Sequence, residues 1–174
     1  MKDILDQNKS SWNGMSDTWS GTILPVCGCS CPSEDDLHLL PDLSGKRILE
    51  IGCGSGHSLK WCGDHGSSEL WELDISERQL ENAAKHLREG SHCAKLFCSP
   101  MEQNPGLPQN YFDVVYSVYA IGWTVDLGGT FDLIASYLKP GGLFIFSWDH
   151  PFLHCVDVVE GKLVFSGNYH ETEP

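Results

Sequence analysis

The sequence predicts a doubly wound α/β domain, a mostly parallel sheet with helices on both faces. Three observations lead there. Short, nearly continuous apolar runs alternate with helical patterns from about residue 46 to 148, as strands buried on both faces require. A glycine-rich turn follows the first run, and an acid ends the second. The chain has 174 residues, 41% hydrophobic and 20% charged, which is enough material for one packed core.

Residues 1 to 44 read as a separate N-terminal region, a helix followed by a loop rich in Cys, Gly and Pro. The core, residues 45 to 152, opens with the strand Arg47 to Ile51 (RILEI). Glu69 to Asp74 (ELWELD) is the second strand and Ala94 to Cys98 the third. Tyr111 to Val118 and Leu143 to Trp148 are the fourth and fifth. Behind the second strand, Ser76 and Gln79 form a capping box: the hydroxyl takes an orphan amide and the glutamine reaches back. Leu80, Ala83, Ala84 and Leu87 then place one apolar stripe on that helix. Phe131, Ile134, Ala135 and Leu138 repeat the spacing, and Lys139-Pro140-Gly141-Gly142 ends the helix. In residues 153 to 174, Val156 to Val159 and Lys162 to Phe165 form a hairpin around Glu160-Gly161, before a polar end.

Eleven basic and 24 acidic side chains leave a net charge of −13. That field repels phosphate backbones, and no basic patch offsets it, so nucleic acid is excluded as a partner. Met1 to Lys9 is charged and lacks the apolar segment of a secretory signal. No run approaches the roughly 20 apolar residues that span a bilayer. A soluble, cytoplasmic protein without membrane contact is expected, one in which the eight cysteines stay free thiols. Cys27, Cys29 and Cys31 raise a zinc question, but their spacing is not C-x₂-C and no second pair matches it. No metal is expected.

Chemistry gathers around Glu50-Ile51-Gly52-Cys53-Gly54-Ser55-Gly56, between the first strand and a helix. Glycines there permit positive φ and let a ligand approach bare backbone, while the following helix offers free amides. Asp74 ends the second strand about 20 residues beyond Gly52, the distance at which an acid in such folds accepts hydrogen bonds from ribose hydroxyls. Both motifs face the crevice at the carboxyl ends of the strands. A dinucleotide-binding Gly-x-Gly-x-x-Gly would need glycine at position 57, where His57 stands, so NAD-dependent oxidoreduction is disfavoured.

ILEIGCGSG, ELWELDIS, FDVVYSVYAIGW and YLKPGGLFIFSWDHPF, in that order over roughly Lys46 to Phe152, resemble the class I S-adenosylmethionine-dependent methyltransferases, in particular the small-molecule group of type 11. The resemblance implies a Rossmann-like sheet whose cofactor is S-adenosyl-L-methionine. It implies that Glu50 and the turn Gly52, Cys53, Gly54 and Gly56 hold the methionine part, that Asp74 takes the ribose and that Ile75 flanks the adenine. Pro100 stands where the family carries an acid; Met101 matches the next apolar position, and Glu102 is a nearby substitute. Ser117, Val118 and Tyr119 match the junction between cofactor and substrate. The family's sheet commonly ends with an antiparallel pair after the fifth strand, and here those strands are expected to be shortened or missing. An exposed edge left by that loss could pair with a second copy in a homodimer.

The expected activity is methyl transfer to a small-molecule acceptor by in-line displacement, for which positioning suffices. The alternative is a catalytically silent S-adenosylmethionine-binding module or partner subunit. Trp12 and Trp19 either pack the terminal helix or lie over the cofactor as a lid. Tyr119, Trp123 and Trp148 either fill core or offer a π face to a cation. His150, in Asp149-His150-Pro151 after the fifth strand, is a structural histidine or the general base of the reaction. His57 could instead lie near the cofactor carboxylate.

Overall fold

A computed structural model describes residues 2–19, 32 and 34–170. In chain order the elements are helices α1 (Lys2–Trp19) and α2 (Glu34–Leu37), strand β1 (Arg47–Ile51), helix α3 (His57–Asp64), strand β2 (Glu69–Asp74), helix α4 (Glu77–Glu89) and strands β3 (Ala94–Cys98) and β4 (Phe112–Val118). A 3₁₀ turn at Ile121–Trp123, helix α5 (Leu127–Tyr137), strand β5 (Leu138–Ser147), a second 3₁₀ turn at Pro151–Cys155 and strands β6 (Val156–Val159) and β7 (Lys162–Phe165) complete the described chain.

The five main strands lie in the order β3-β2-β1-β4-β5, and every neighbouring pair is parallel. The chain winds outward from β1 to β3, returns past its start and winds outward again through β4 and β5. The direction reverses between β1 and β4, where such sheets open a crevice at their carboxyl ends.

Alternation along the strands builds two cores. Ile48, Leu70, Val114 and Tyr116 pack with Leu59, Cys62 and Leu87 of α3 and α4. Leu49, Ile51, Trp71, Leu73 and Val115 face the other way and pack with Ile134 and Tyr137 of α5. The link from β3 to β4 carries no helix, although helices were expected between all strands. Its turns lay Leu107 and Met101 over the sheet instead.

Three local expectations are corrected. Gln79 does not reach back to complete the capping box. Ser76 Oγ accepts the Gln79 amide at 3.2 Å, but the Ser76 amide donates to Asp74 Oδ1 at 2.8 Å. The Gln79 side chain is thereby freed to accept from Ser55 Oγ at 2.9 Å. The buried stripe of α5 is Thr130, Ile134 and Tyr137. Phe131 instead points outward, its ring tilted over those of Phe144 and Phe146. Finally, β5 begins at Leu138, which pairs with Phe112, and a register shift at 139–142 absorbs the expected turn before Leu143 pairs with Val114.

The N-terminal helix is not separate from the core. Ser76 Oγ donates to Asn13 Oδ1 at 2.6 Å, Asn82 Nδ2 donates to the Ser16 carbonyl at 3.3 Å, and Lys9 pairs with Glu77. These bonds dock α1 along α4. The β6–β7 hairpin forms where expected, with Glu160 and Gly161 both at positive φ as a tight two-residue turn requires. It makes a sheet of its own and leaves β5 at the edge of the main one. No helix among the described residues is long and apolar enough to cross a membrane.

Candidate active site

The turn after β1 runs through three glycines at positive φ: Gly52 at 71°, Gly54 at 53° and Gly56 at 73°. Their surroundings differ. A Cβ on Gly52 would lie 2.2 Å from Ala120 Cβ, and one on Gly56 would lie 2.7 Å from Glu72 Oε1. At Gly54 a Cβ would meet nothing within 4 Å among the described residues. Gly52 and Gly56 are thus glycine because protein crowds them, whereas Gly54 faces open space. Gly56 precedes α3 and, having no side chain, caps none of its first-turn amides.

Acids stand beside this turn. Asp74, at the tip of β2, accepts the Gly54 amide on Oδ2 at 3.0 Å and the Ser76 amide on Oδ1 at 2.8 Å. Burial pushes its carboxyl up to about 6, against the pull of the Ser76, Gly54 and Ile75 amides. Parallel register sets Glu50 of β1 opposite Glu72 of β2 and Tyr116 of β4. Glu50 accepts the Tyr116 hydroxyl at 3.0 Å, yet burial and the neighbouring Glu72 charge hold its pKa well above the usual range. Neither Glu72 oxygen has a hydrogen bond of ordinary geometry among the described residues. Burial raises Glu72 to about 8, with partial relief from the Cys53 thiol.

Glu50, Gly54 and Asp74 open into a cavity of about 290 Å³ at the carboxyl ends of the strands. On its wall the rings of Trp12 and Trp123 meet edge to face with centroids 5.5 Å apart, and Trp123 meets Trp148 likewise at 6.1 Å. Tyr119 lies 6.3 Å from Trp148. The Tyr119 backbone is held at φ 52°, a conformation costly for a side-chain-bearing residue and typical of positions constrained by a site. Its amide donates to the Ser147 carbonyl at 3.1 Å, joining the ends of β4 and β5. Glu102 accepts Thr124 Oγ1 at 2.6 Å and the Val125 amide at 2.7 Å, which anchors the loop after Trp123.

Most of the residues singled out in the sequence meet here. Glu50, Gly52, Cys53, Gly54, Asp74, Ile75, Met101, Glu102 and Tyr119 line the cavity, as do His57, Trp12, Trp123 and Trp148. Burial drops His57 to about 4, with His86 adding to the effect, so it is a neutral wall residue. Three others lie elsewhere. Gly56 sits behind the turn against Glu72. Ser117 is fully buried and donates to the Ile51 carbonyl at 2.9 Å, tying β4 to β1. His150 is exposed and does not line the cavity; its Nδ1 accepts the Phe152 amide at 3.2 Å and caps the second 3₁₀ turn. The Trp19 side chain and Cys27, Cys29 and Cys31 lie outside the described residues.

Sequence reasoning missed Asn8, Gln79 and Asp149, all on the cavity wall. A signal existed for the first: Leu5, Asn8 and Trp12 share one face of α1 at i, i+3, i+7, and all three border the cavity. Asp149 was passed over in favour of its neighbour, because only the backbone course after β5 decides which of the two turns inward.

A family described as Methyltransferase domain matches residues 49–146, more than half of the chain. An uncharacterized protein of Haemophilus influenzae is 34% identical over 122 residues, covering 68% of this chain and 48% of that protein. Malonyl-[acyl-carrier protein] O-methyltransferase 2 of Ilyobacter polytropus is 34% identical over 102 residues, 58% of this chain and 38% of that enzyme. A crystal structure of an S-adenosylmethionine dependent methyltransferase from Mesorhizobium loti superposes with a TM-score of 0.65 at 28% identity, covering 76% of this chain and 62% of that one. The chain thus spans less than half the length of these two curated relatives. With the glycine turn, the strand-end acid and the parallel sheet in the family's order, the chain belongs to the class I S-adenosylmethionine-dependent methyltransferases, in their type 11 group.

Proposed function

We propose that this chain binds S-adenosyl-L-methionine over Gly54 and Asp74 and transfers its methyl group to a small-molecule acceptor held against Tyr119, Trp123 and Trp148. The observation that carries the reading is the single cavity shared by the open backbone at Gly54, the carboxyls of Glu50 and Asp74 and the aromatic wall.

The residues present fit the cofactor. Gly54 leaves free the volume that a Cβ would occupy. Asp74 accepts backbone amides on both oxygens, and a carboxylate has about four lone-pair sites, which leaves acceptor capacity for a ribose hydroxyl. Glu50 offers a carboxyl to an ammonium group, and Ile75 and Met101 are apolar surfaces for a flat base. When bound, the cofactor supplies an electrophilic methyl on a sulfonium.

The protein's own part is then to orient and to exclude water. Tyr119, fixed by its strained backbone and its bond to β5, lines the cavity with its ring 6.3 Å from that of Trp148. Trp12 of α1 meets Trp123 on the cavity wall, with Asn8 Nδ2 donating to the Trp123 carbonyl at 3.2 Å, and this pair would cover the bound cofactor. Holding acceptor, methyl and leaving sulfur in line is worth effective molarities of about 10⁵–10⁸ M, so no triad is needed.

The test is calorimetric titration with S-adenosylhomocysteine on the wild type and on Asp74→Ala, followed by a screen for release of that product with small-molecule acceptors. Saturable binding lost in the variant supports the reading. Absence of binding to the wild type, or equal affinity in both, refutes it.

A further inference from the structure

We infer that the acceptor is a neutral amine that becomes a cation on methylation, and that Trp123, Trp148 and Asp149 recognise its positive form. The inference rests on the methyl-transfer reading above and narrows it to a substrate class.

Charge is the first argument. Among the described residues four acids line the cavity, Glu50, Asp74, Glu102 and Asp149. All eleven Lys and Arg residues of the chain fall within the described segments, and none lines the cavity. His57, the one imidazole on the wall, is neutral near physiological pH. A carboxylate, phosphate or phenolate acceptor would be stripped of water beside these acids with no protein cation to offset its charge, and only the sulfonium, which is lost on transfer, would face it.

Distribution of the acids is the second argument. Glu50 and Asp74 stand at the cofactor end. Glu102 is anchored through Oε1, which accepts Thr124 and Val125, while its Oε2 is buried without a hydrogen-bond partner among the described residues. Asp149 makes no hydrogen bond or ion pair among the described residues, and it follows Trp148 directly on the cavity wall. A free carboxylate beside two perpendicular indoles is the composition that binds alkylated ammonium groups, whose charge sits against π faces.

Chemistry joins the two. The nitrogen lone pair forms the new bond to the methyl carbon as the carbon–sulfur bond breaks, and the sulfur leaves as a neutral thioether. Positive charge thereby passes from sulfur to nitrogen, toward the aromatic wall. A tertiary amine becomes a quaternary ammonium with no proton to place. A hydroxyl acceptor would end neutral and leave the box without its charge.

The experiment uses three probes of one shape: choline, its uncharged isostere 3,3-dimethylbutan-1-ol, and the anion 3,3-dimethylbutyrate. Each is titrated by tryptophan fluorescence into protein saturated with S-adenosylhomocysteine. Choline is expected to bind about tenfold more tightly than the neutral isostere, and the anion more weakly than either. Trp123→Leu and Asp149→Asn should each erase most of that preference, with thermal melts verifying that both variants fold. Equal affinity for choline and the isostere, or tighter binding of the anion, overturns the inference and leaves the cofactor reading standing. No binding of S-adenosylhomocysteine at the outset brings down both.

Discussion

The backbone amide of Gly54 donates to Asp74 Oδ2 at 3.0 Å, so the glycine turn after β1 and the acid that ends β2 are a single unit. The bend is held in place by the carboxylate that would take the ribose. The glycines around that bond divide into two kinds, and the division can be measured.

Gly54→Ala and Gly52→Ala should fail differently. A Cβ at Gly54 meets no neighbour, so its stability cost is only that of a left-handed backbone, about 1–2 kcal/mol. The added methyl protrudes into the cavity, and affinity for S-adenosylhomocysteine should fall at least about tenfold, roughly 1.4 kcal/mol. At Gly52 the added Cβ collides with Ala120, so Gly52→Ala should give little folded protein. Thermal melts beside calorimetry separate the two, and a Gly54→Ala protein that binds like the wild type would place the ligand elsewhere.

Affinity for the cofactor should depend on pH through Asp74. Its carboxyl titrates at about 6, raised by burial. The charged form is the better acceptor for ribose hydroxyls, so a bound nucleoside favours ionisation and lowers that pKa. Affinity should therefore hold above pH 6 and weaken below it, by up to about tenfold per pH unit for one linked proton. Asp74→Asn should bind more weakly at pH 7.5 and flatten the profile between pH 5 and 7. A wild-type profile flat over that range would show that Asp74 is not the group involved.

The sheet and half of this site were legible because they depend on local pattern. Apolar runs fixed β1, β2 and β3 to their observed ends, and Gly52 to Gly56 with Asp74 announced the crevice. What was hidden depends on packing between segments distant in the chain. Gln79 looked like a capping residue because its partner, Ser55, is 24 positions away. Ser117 looked like a ligand-binding residue because its bond to Ile51 forms only once β4 lies beside β1. Which of Asp149 and His150 faces the cavity turns on the backbone after β5, which no periodicity encodes.

Stability should fall as pH rises, with Glu72 a principal cause. Its carboxyl is fully buried and titrates at about 8, far above a solvated glutamate. The folded state therefore binds more protons than the unfolded state between about pH 4.5 and 8. Stability is greatest below that window and is lost progressively through it. Glu72→Gln removes the charge at nearly constant shape, and should be more stable than the wild type at pH 8.5 by on the order of 2 kcal/mol, a fraction of the full shift at about 1.36 kcal/mol per unit. At pH 5 the two should agree closely. Glu50, raised by the same burial, leaves a residual slope in the variant. Parallel melting curves for both proteins across this range would sink the assignment.

The N-terminal helix should open and close over the site. Beside the part-buried bonds of Asn13 with Ser76 and Asn82 with Ser16, its ties to α4 are exposed ion pairs, Lys9 with Glu77 and Arg78 with Asp17. Exposed pairs of this kind contribute about 0–1 kcal/mol each and weaken in salt. The aromatic contact of Trp12 with Trp123 adds about 0.5–1.5 kcal/mol. Docking this weak permits local unfolding, and a ligand beneath Leu5, Asn8 and Trp12 favours the closed form. Trypsin cleavage after Lys9 reports the open population. The rate should rise in Trp12→Ala and in 0.5 M salt. S-adenosylhomocysteine at a hundred times its dissociation constant should slow it, by up to about 100-fold if only the closed form binds. Cleavage unaffected by the ligand would mean that α1 is fixed packing and leaves the cavity open from another side.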